Sequence, residues 1–244
     1  MKKLGIIGAN GVAATNRLLD FVERKFTARG AFRDAHHPDM IVAQATQVPS
    51  RSMFLEGRGA DWRPDYIEIA KMFKSVGCDL ACMCCNTAHY AIDDVVAGSD
   101  LPFINLLDEV ARRVATMGLP KVELWVSDGA RKFDIYGPAF ARQAPGCTIV
   151  YPPDERQKLV TKVICAVKTK ARFLAEDDPA HPHAMIAALL KGAEAPVVFG
   201  CTDIRVAYRV DEPLDAGVAL DSLECLADAI MARWALGRDE KVEC

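Results

Sequence analysis

The chain has 244 residues, of which 51% are hydrophobic, so it is long and apolar enough to form two small domains with buried cores. Its formal net charge of −3 gives no electrostatic basis for binding nucleic acid or an anionic membrane. No apolar run has the length of a membrane span, and the sequence opens with a predicted strand, so we expect no secretory signal. Nine cysteines without a disulfide-scaffold spacing favour reduced thiols and a cytoplasmic location.

The first half of the chain predicts strands that alternate with helices. Strands are predicted at 3–8, 40–44, 80–85 and 101–105, and helices at 15–28, 66–76, 88–96 and 108–117. The apolar run before Cys85 is too short for an amphipathic helix and predicts a buried strand that ends in this cysteine. The small polar residues Asn86 and Thr87 follow and suit a helix start. A long polar loop at 45–61 contains Arg51, and such loops are often functional.

The second half predicts the same alternation. Strands are predicted at 121–126, 148–151 and 195–201, and helical segments at 130–136, 155–173, 183–191 and 220–236. The last of these strands ends in Cys201, which Thr202 and Asp203 follow. We expect the terminal helix to pack back on the first half. The expected domains are therefore residues 1–100 plus 208–244, which carry Cys85, and residues 101–207, which carry Cys201.

The two halves form an internal repeat. Cys85 and Cys201 lie 116 positions apart, and the turn residues Asn10 and Asp128, each after an opening strand, lie 118 apart. Alternating strands and helices predict parallel sheets, whose ligands bind beyond the carboxyl ends of the strands. The predicted fold is therefore α/β, with two pseudo-symmetric doubly wound domains whose parallel sheets face each other across a cleft. Asn10 and Asp128 are either turn formers or ligand contacts in that cleft.

Two thiols that flank one cleft suit the inversion of a carbon acid. One thiolate removes a proton from one face of a carbon atom, and a thiol delivers a proton to the opposite face. The unperturbed pKa of cysteine lies near 8.5, so a thiolate and thiol pair is accessible near neutral pH, and it would titrate as a unit. We predict Cys85 and Cys201 as these two catalytic groups. Asn86, Thr87, Thr202 and backbone N–H groups are the candidate donors to the anionic intermediate.

The two cysteine motifs resemble a known family. Cys85-Asn-Thr-Ala-His89 together with Gly200-Cys-Thr-Asp203 resembles the paired signature of the aspartate/glutamate racemase superfamily. The resemblance covers nearly the whole chain and implies an amino-acid racemase that works without pyridoxal phosphate or another cofactor. The family is commonly dimeric, so the resemblance also implies a homodimer.

The aspartate racemase branch is the most similar. Members of that branch hold the side-chain carboxylate of the substrate with an arginine after the second strand and a lysine in the second half, which Arg51 and Lys168 match. A planar guanidinium suits a carboxylate, which supports Arg51. Lys168 has Lys162 and Lys170 nearby, a pattern that is also typical of an exposed helix face. The resemblance thus implies aspartate as the preferred substrate, with glutamate as the alternative.

Three departures from the family pattern lie at the predicted cleft. The opening turn Ala9–Thr15 has less glycine than is typical, and Ser127 stands where the family usually has threonine. Asp203 stands where the aspartate branch usually has glutamate and where glutamate racemases usually have histidine. We expect Asp203 to contact the substrate. These departures bear on which substrate is used more than on the two-thiol mechanism.

Other functions fit the same sequence. A hydantoin racemase, a maleate cis-trans isomerase with one nucleophilic cysteine and an arylmalonate decarboxylase share this scaffold. The decarboxylases have only one of the two cysteines, which disfavours that option here. A non-catalytic binder of small dicarboxylates belongs to a different class.

A zinc site is a further alternative for the first motif. Cys82, Cys84, Cys85 and His89 are all residue types that bind zinc. Alternation along a strand points Cys82 and Cys84 away from Cys85, however, and no second ligand pair follows. We therefore predict no metal.

Overall fold

The computed structural model describes residues 3–234, and these form two four-stranded parallel sheets with helices around them. The first sheet contains β1 (Lys3–Gly8), β2 (Asp39–Gln44), β3 (Leu80–Met83) and β4 (Phe103–Ile104). The second contains β5 (Lys121–Trp125), β6 (Thr148–Val150), β7 (Val197–Phe199) and β8 (Val218–Asp221). In this part of the chain, every helix falls short of the length and apolarity needed to cross a bilayer.

Both sheets have the same strand order. It is β2-β1-β3-β4 in the first sheet and β6-β5-β7-β8 in the second, and all pairs are parallel. The central strands are buried on both faces, which is why they are nearly continuous apolar runs. In each sheet the chain reverses its winding direction between the first and third strands, where doubly wound folds bind ligands. The predicted fold class is confirmed.

The helices bury apolar faces against these sheets, and several begin at a side-chain cap. Asn105 accepts hydrogen bonds from the first turn of the helix after β4, and Asp221 does the same after β8. These caps lie 116 positions apart, like the two cysteines, so the repeat extends along both halves. The helices are α1 (Val12–Ala28), α2 (Arg51–Leu55), α3 (Arg63–Ser75), α4 (Ile92–Ser99), α5 (Leu106–Thr116), α6 (Asp128–Lys132), α7 (Gly137–Gln143), α8 (Asp154–Ala166), α9 (Pro182–Leu190) and α10 (Ser222–Arg233).

The helix that follows the last strand of each sheet packs on the opposite half. α10, which follows β8, packs against α1, where Lys25 forms ion pairs with Glu224 at 3.0 Å and Asp228 at 2.7 Å. α5, which follows β4, packs against α7, where Arg142 and Asp108 are 2.7 Å apart. This exchange of helices joins the halves. It agrees with the expected return of the terminal helix to the first half, although residues 235–244 lie outside the described part.

The predicted domain boundaries, after residues 100 and 207, would place two strands in the wrong sheet. β4 belongs to the first sheet and β8 to the second, because each completes the hydrogen bonding of the third strand beside it. The terminal helix therefore begins at Ser222, after a strand, and not at Leu220. The division into 1–100 plus 208–244 and 101–207 otherwise stays a prediction.

The predicted helix at 155–173 ends early. α8 stops at Ala166, and a short 3₁₀ helix follows at Lys170–Phe173. Thr169 causes the break, since its backbone is extended and its hydroxyl accepts a hydrogen bond from the N–H of Ala171 at 3.2 Å. Lys168 therefore lies in the connection after α8, where it reaches the other residues of the cleft.

Candidate active site

The two cysteines occupy equivalent positions at the switch points of the two sheets. Cys85 follows β3 and Cys201 follows β7, and each is the second residue after its strand ends. A short 3₁₀ helix follows each motif, at Thr87–Ala91 and at Ile204–Ala207. The predicted placement of both thiols beyond the carboxyl ends of matching strands is therefore present in the structure.

The loops that carry the cysteines contact each other directly. The hydroxyl of Thr202 donates to the carbonyl of Cys84 at 3.2 Å, and the hydroxyls of Thr87 and Ser127 are 2.9 Å apart. These bonds hold the two strand ends together at the centre of the molecule. They also engage the hydroxyls of Thr87 and Thr202, two of the groups predicted to donate to an intermediate.

Asn86 is likewise engaged between the halves. Its Oδ1 accepts from the hydroxyl of Tyr136 at 2.6 Å, and its Nδ2 donates to the hydroxyl of Ser222 at 2.9 Å. The side chain is buried and aligned by these two partners. The structure thus places Asn86, Thr87 and Thr202 next to the cysteines and gives each a contact to the other half, while their substrate contacts stay predictions.

The two thiols differ in burial and in charged neighbours. Cys85 is 8% exposed and Cys201 is half-buried. Burial raises the pKa of the Cys201 thiol, the Asp203 carboxylate raises it further, and Lys168 opposes both. The neighbouring Cys85 sulfur adds a smaller contribution that also raises the pKa of Cys201.

Arg51 lies beside the Cys85 sulfur, at the start of α2. Its Nη1 donates to the carbonyl of Pro49 at 2.8 Å, while its buried Nε has no hydrogen-bond partner. Burial acts to lower the pKa of Arg51, but the neighbouring side chains of Cys85, Tyr66 and Asp203 outweigh it and raise that pKa. Arg51 therefore stays charged at the wall of the cleft, while its contact with a substrate carboxylate stays a prediction.

Lys168 and Asp203 form an ion pair of 2.8 Å on the other side of the site. Asp203 is only 3% exposed, whereas the lysine side chain is half exposed. Burial raises the pKa of the Asp203 carboxyl, and Lys168 opposes this. The opening turn of the first half approaches so closely that a Cβ on Gly11 would lie 1.9 Å from Oδ1 of Asp203, which is why glycine is required there.

A cleft of about 610 Å³ lies between the halves at this point. Four predicted site residues line it: Asn10, Arg51, Lys168 and Asp203. Lys170 and Arg172 add two further cations to its wall. Cys85 and Cys201 are not among the lining residues, but Arg51 and Asp203, which neighbour them respectively, are.

The turn residues Asn10 and Asp128 have different surroundings. Asn10 lines the cleft and its Oδ1 accepts from the hydroxyl of Tyr66. Asp128 is exposed outside that lining, and its Oδ1 accepts from Gln157 and from Thr161, both at 2.9 Å. The structure thus brings Asn10 to the cleft, while the Asp128 carboxylate mainly fixes α6 to α8.

The model of the Asp/Glu/hydantoin racemase family matches residues 4–230. The chain belongs to that family. It is therefore an enzyme of a racemase family, and its class is that of the isomerases. The two cysteine motifs from which the sequence indicated this family both lie within the matched range.

Solved structures of other racemases share the fold of this family member. An aspartate racemase of Picrophilus torridus is 24% identical, with a TM-score of 0.77 and coverage of 96% of this chain and 94% of that one. An aspartate racemase homologue of Pyrococcus horikoshii is 22% identical, with a TM-score of 0.64 and coverage of 96% and 99%. Glutamate racemase of Thermus thermophilus is 17% identical, with a TM-score of 0.59 and coverage of 95% and 80%.

The sequence placed His89 in the first motif but did not predict its structural role. His89 is buried; its Nε2 accepts from the N–H of Leu106 at 3.1 Å, so its Nδ1 carries the proton and donates to the carbonyl of Cys85 at 2.8 Å. Burial lowers the pKa of His89 to about 4, so the ring is neutral. Both ring nitrogens fix the Cys85 loop to α5, and neither is free to bind a metal. The four-residue spacing from Cys85 was the available signal, but it could not identify these partners.

Proposed function

We propose that this enzyme is a cofactor-independent aspartate racemase in which Cys85 and Cys201 invert Cα by a two-base mechanism. The observation that supports it is the equivalent placement of the two thiols after β3 and β7, in loops that contact each other through Thr202 and Cys84. A two-base reaction needs groups on opposite faces of one carbon, and repeated halves supply one from each side.

The reaction is a pair of proton transfers. The thiolate of one cysteine takes the Cα proton and becomes a thiol, and the thiol of the other cysteine gives its proton to the opposite face and becomes a thiolate. Burial and then the Asp203 carboxylate raise the pKa of the Cys201 thiol, so its surroundings favour Cys201 as the resting acid.

The charges of the cleft support an anionic substrate. Four cationic side chains line the cleft, although the whole chain has a net charge of −3: Arg51, Lys168, Lys170 and Arg172. The guanidinium of Arg51 and the half-exposed ammonium of Lys168, both at the wall of the cleft, suit the two carboxylates of aspartate. The similarity in fold to structures named as aspartate racemases agrees with this choice, and glutamate is the second candidate.

A chiral assay tests the proposal directly. Purified enzyme is incubated with each enantiomer of a panel of amino acids, with and without added pyridoxal phosphate, in ordinary and deuterated water. We expect racemisation of aspartate, incorporation of deuterium at Cα, and no dependence on the added cofactor. A dicarboxylate binder would give neither reaction, and a hydantoin racemase or maleate isomerase would leave aspartate unchanged while converting its own substrate.

The cellular setting belongs to the same proposal. Eight cysteines of the described residues are free thiols, which suits the reducing cytoplasm. We further propose a homodimer, as the resemblance to the superfamily implies, and light scattering on the purified protein at micromolar concentration gives its mass.

A further inference from the structure

The ion pair between Lys168 and Asp203 consists of an ammonium and a carboxylate, the same two kinds of charged group that an amino-acid substrate carries. Within residues 3–234, Asp203 is the one acidic side chain that lines the cleft, among four cations. Its side chain is 5% exposed and its Oδ2 lies 2.8 Å from Nζ of Lys168. An amino acid that enters the cleft brings both an ammonium and carboxylates, so it can offer a new partner to each member of this pair.

We propose that Asp203 accepts the α-ammonium of the substrate and that the substrate replaces the Lys168–Asp203 pair, with its own carboxylate on Lys168 and its ammonium on Asp203. This inference rests on the proposed function and assigns the role of one residue within it. Lys168 is the member that moves, because its side chain is half exposed and lies in the connection after α8, whereas Asp203 is enclosed.

The exchange selects for amino acids because a buried charge is costly without a partner. A dicarboxylate without an amino group can take Lys168 but leaves the carboxylate of Asp203 buried and unpaired. A substrate with an ammonium leaves no such charge. A site of this kind discriminates against an analogue that lacks the polar group it was built to bind.

The opening turn of the first half packs against Asp203 at the wall of the cleft. Gly11 lies against its Oδ1, so that oxygen faces the opening turn of the first half, and Asn10 in the same turn also lines the cleft. Asp203 follows Cys201 by two residues, and its carboxylate lies near enough to raise the pKa of that thiol. An ammonium held on this carboxylate would therefore bring the substrate to the side of the cleft that carries Cys201.

Binding of two ligands separates this role from a merely structural one. Racemic aspartate is compared with succinate, which has both carboxylates and hydrogen in place of the ammonium, by isothermal titration calorimetry. The racemic ligand is used because turnover does not change its composition. We expect the wild-type enzyme to bind aspartate roughly 10- to 100-fold more tightly than succinate.

Asp203→Asn has nearly the same shape and removes the charge. We expect it to weaken aspartate binding by roughly 10- to 100-fold and to strengthen succinate binding, because Lys168 is then released and no unpaired carboxylate remains. Asp154→Asn, at the exposed start of α8, is the matched control and leaves both affinities unchanged. Equal weakening of both ligands in Asp203→Asn would overturn the inference.

A second variant keeps the test decisive if Asp203→Asn does not fold. Lys168→Ala leaves Asp203 without its cation, so we expect the preference for aspartate over succinate to persist or grow. Loss of the preference in Lys168→Ala contradicts the proposed role of Asp203. If the wild-type enzyme neither racemises aspartate nor binds either ligand, the proposed function itself fails; if it racemises aspartate without preferring it to succinate, only the inference fails.

Discussion

The hydroxyl of Thr202 donates a hydrogen bond of 3.2 Å to the carbonyl of Cys84, and this bond joins the loops that carry the two candidate catalytic thiols. Thr202 follows Cys201 and Cys84 precedes Cys85, so the bond crosses from one half of the repeat to the other. Both groups are buried. The separation of the two sulfurs therefore depends on a contact that water cannot easily replace.

Replacement of Thr202 by valine should impair both stability and turnover. Thr202→Val keeps the shape but leaves the Cys84 carbonyl without this donor, so we expect a loss of about 1–3 kcal/mol in the free energy of unfolding. Denaturant unfolding measures this loss of stability. We also expect kcat to fall, because the two cysteine loops are no longer held in their relative positions. Thr116→Val is the control, since Thr116 is exposed and bonds only within α5. Wild-type stability and kcat in Thr202→Val would contradict this role.

Arg51 should be sensitive to replacement even by lysine. Lysine keeps a positive charge but lacks the planar fork and the Nε–H that is unpartnered here. We expect Arg51→Lys to lower kcat/KM for aspartate by roughly 10- to 100-fold, mainly through KM. Arg58→Lys provides the comparison, because Arg58 is exposed and pairs with Glu56 in the adjacent turn. Similar kinetics for the two variants would remove Arg51 from substrate binding.

The charge of Asp203 should control the titration of Cys201. Burial is the largest cause that raises the pKa of the Cys201 thiol, and the Asp203 carboxylate adds to it. Asp203→Asn removes that negative charge, so the pKa of Cys201 should fall and the thiolate should form at lower pH. Alkylation of the Cys201 peptide by iodoacetamide, followed against pH by mass spectrometry, measures this. An unchanged profile in the variant, or a shift to higher pH, would count against the electrostatic coupling.

His89 should make stability depend on pH. Its pKa is about 4 in the folded protein because the ring is buried, against about 6.5 in the unfolded chain. Between pH 4 and 6.5 the unfolded state therefore binds more protons than the folded state. The stabilisation by the neutral ring is complete above pH 6.5 and is lost as the pH falls toward 4, and the free energy of unfolding decreases by about 3 kcal/mol over this range. His89→Gln should show less of this loss in unfolding experiments, whereas His37→Gln should match the wild type. Identical pH slopes in all three proteins would contradict the assignment.

The sequence predicted the fold, and the position of the two cysteines within it, because these features follow from local patterns. Short apolar strands that are followed by Cys85 and Cys201, on halves with nearly the same spacing, predict a pair of parallel sheets with thiols at matching edges. The sequence did not reveal that β4 belongs to the first sheet and β8 to the second. These strands have only two and four residues, which is too short for a clear periodic pattern. Such short strands are identified by their partners.

Two details at the site depend on hydrogen bonds that the apolar pattern of the sequence does not show. Thr169 ends α8 through a hydrogen bond of its own side chain, which a helical pattern of apolar residues does not show. Asn86 suits an intermediate chemically, yet its amide bonds Tyr136 and Ser222, which lie 50 and 136 positions away. Chemistry identifies the residue types at the site, whereas only the folded chain assigns their hydrogen-bond partners.

The central claim is that thiols from opposite halves act on one carbon atom. Hydrogen exchange at Cα in deuterated water tests it most directly, with Cys85→Ala, Cys201→Ala and the exposed Cys165→Ala as control, and with each enantiomer of aspartate followed separately. We predict that either of the first two variants loses racemisation but still exchanges the Cα hydrogen of one enantiomer, opposite in the two variants, while Cys165→Ala behaves as the wild type. Full racemisation by Cys85→Ala or by Cys201→Ala, or exchange of the same enantiomer by both, would contradict the account.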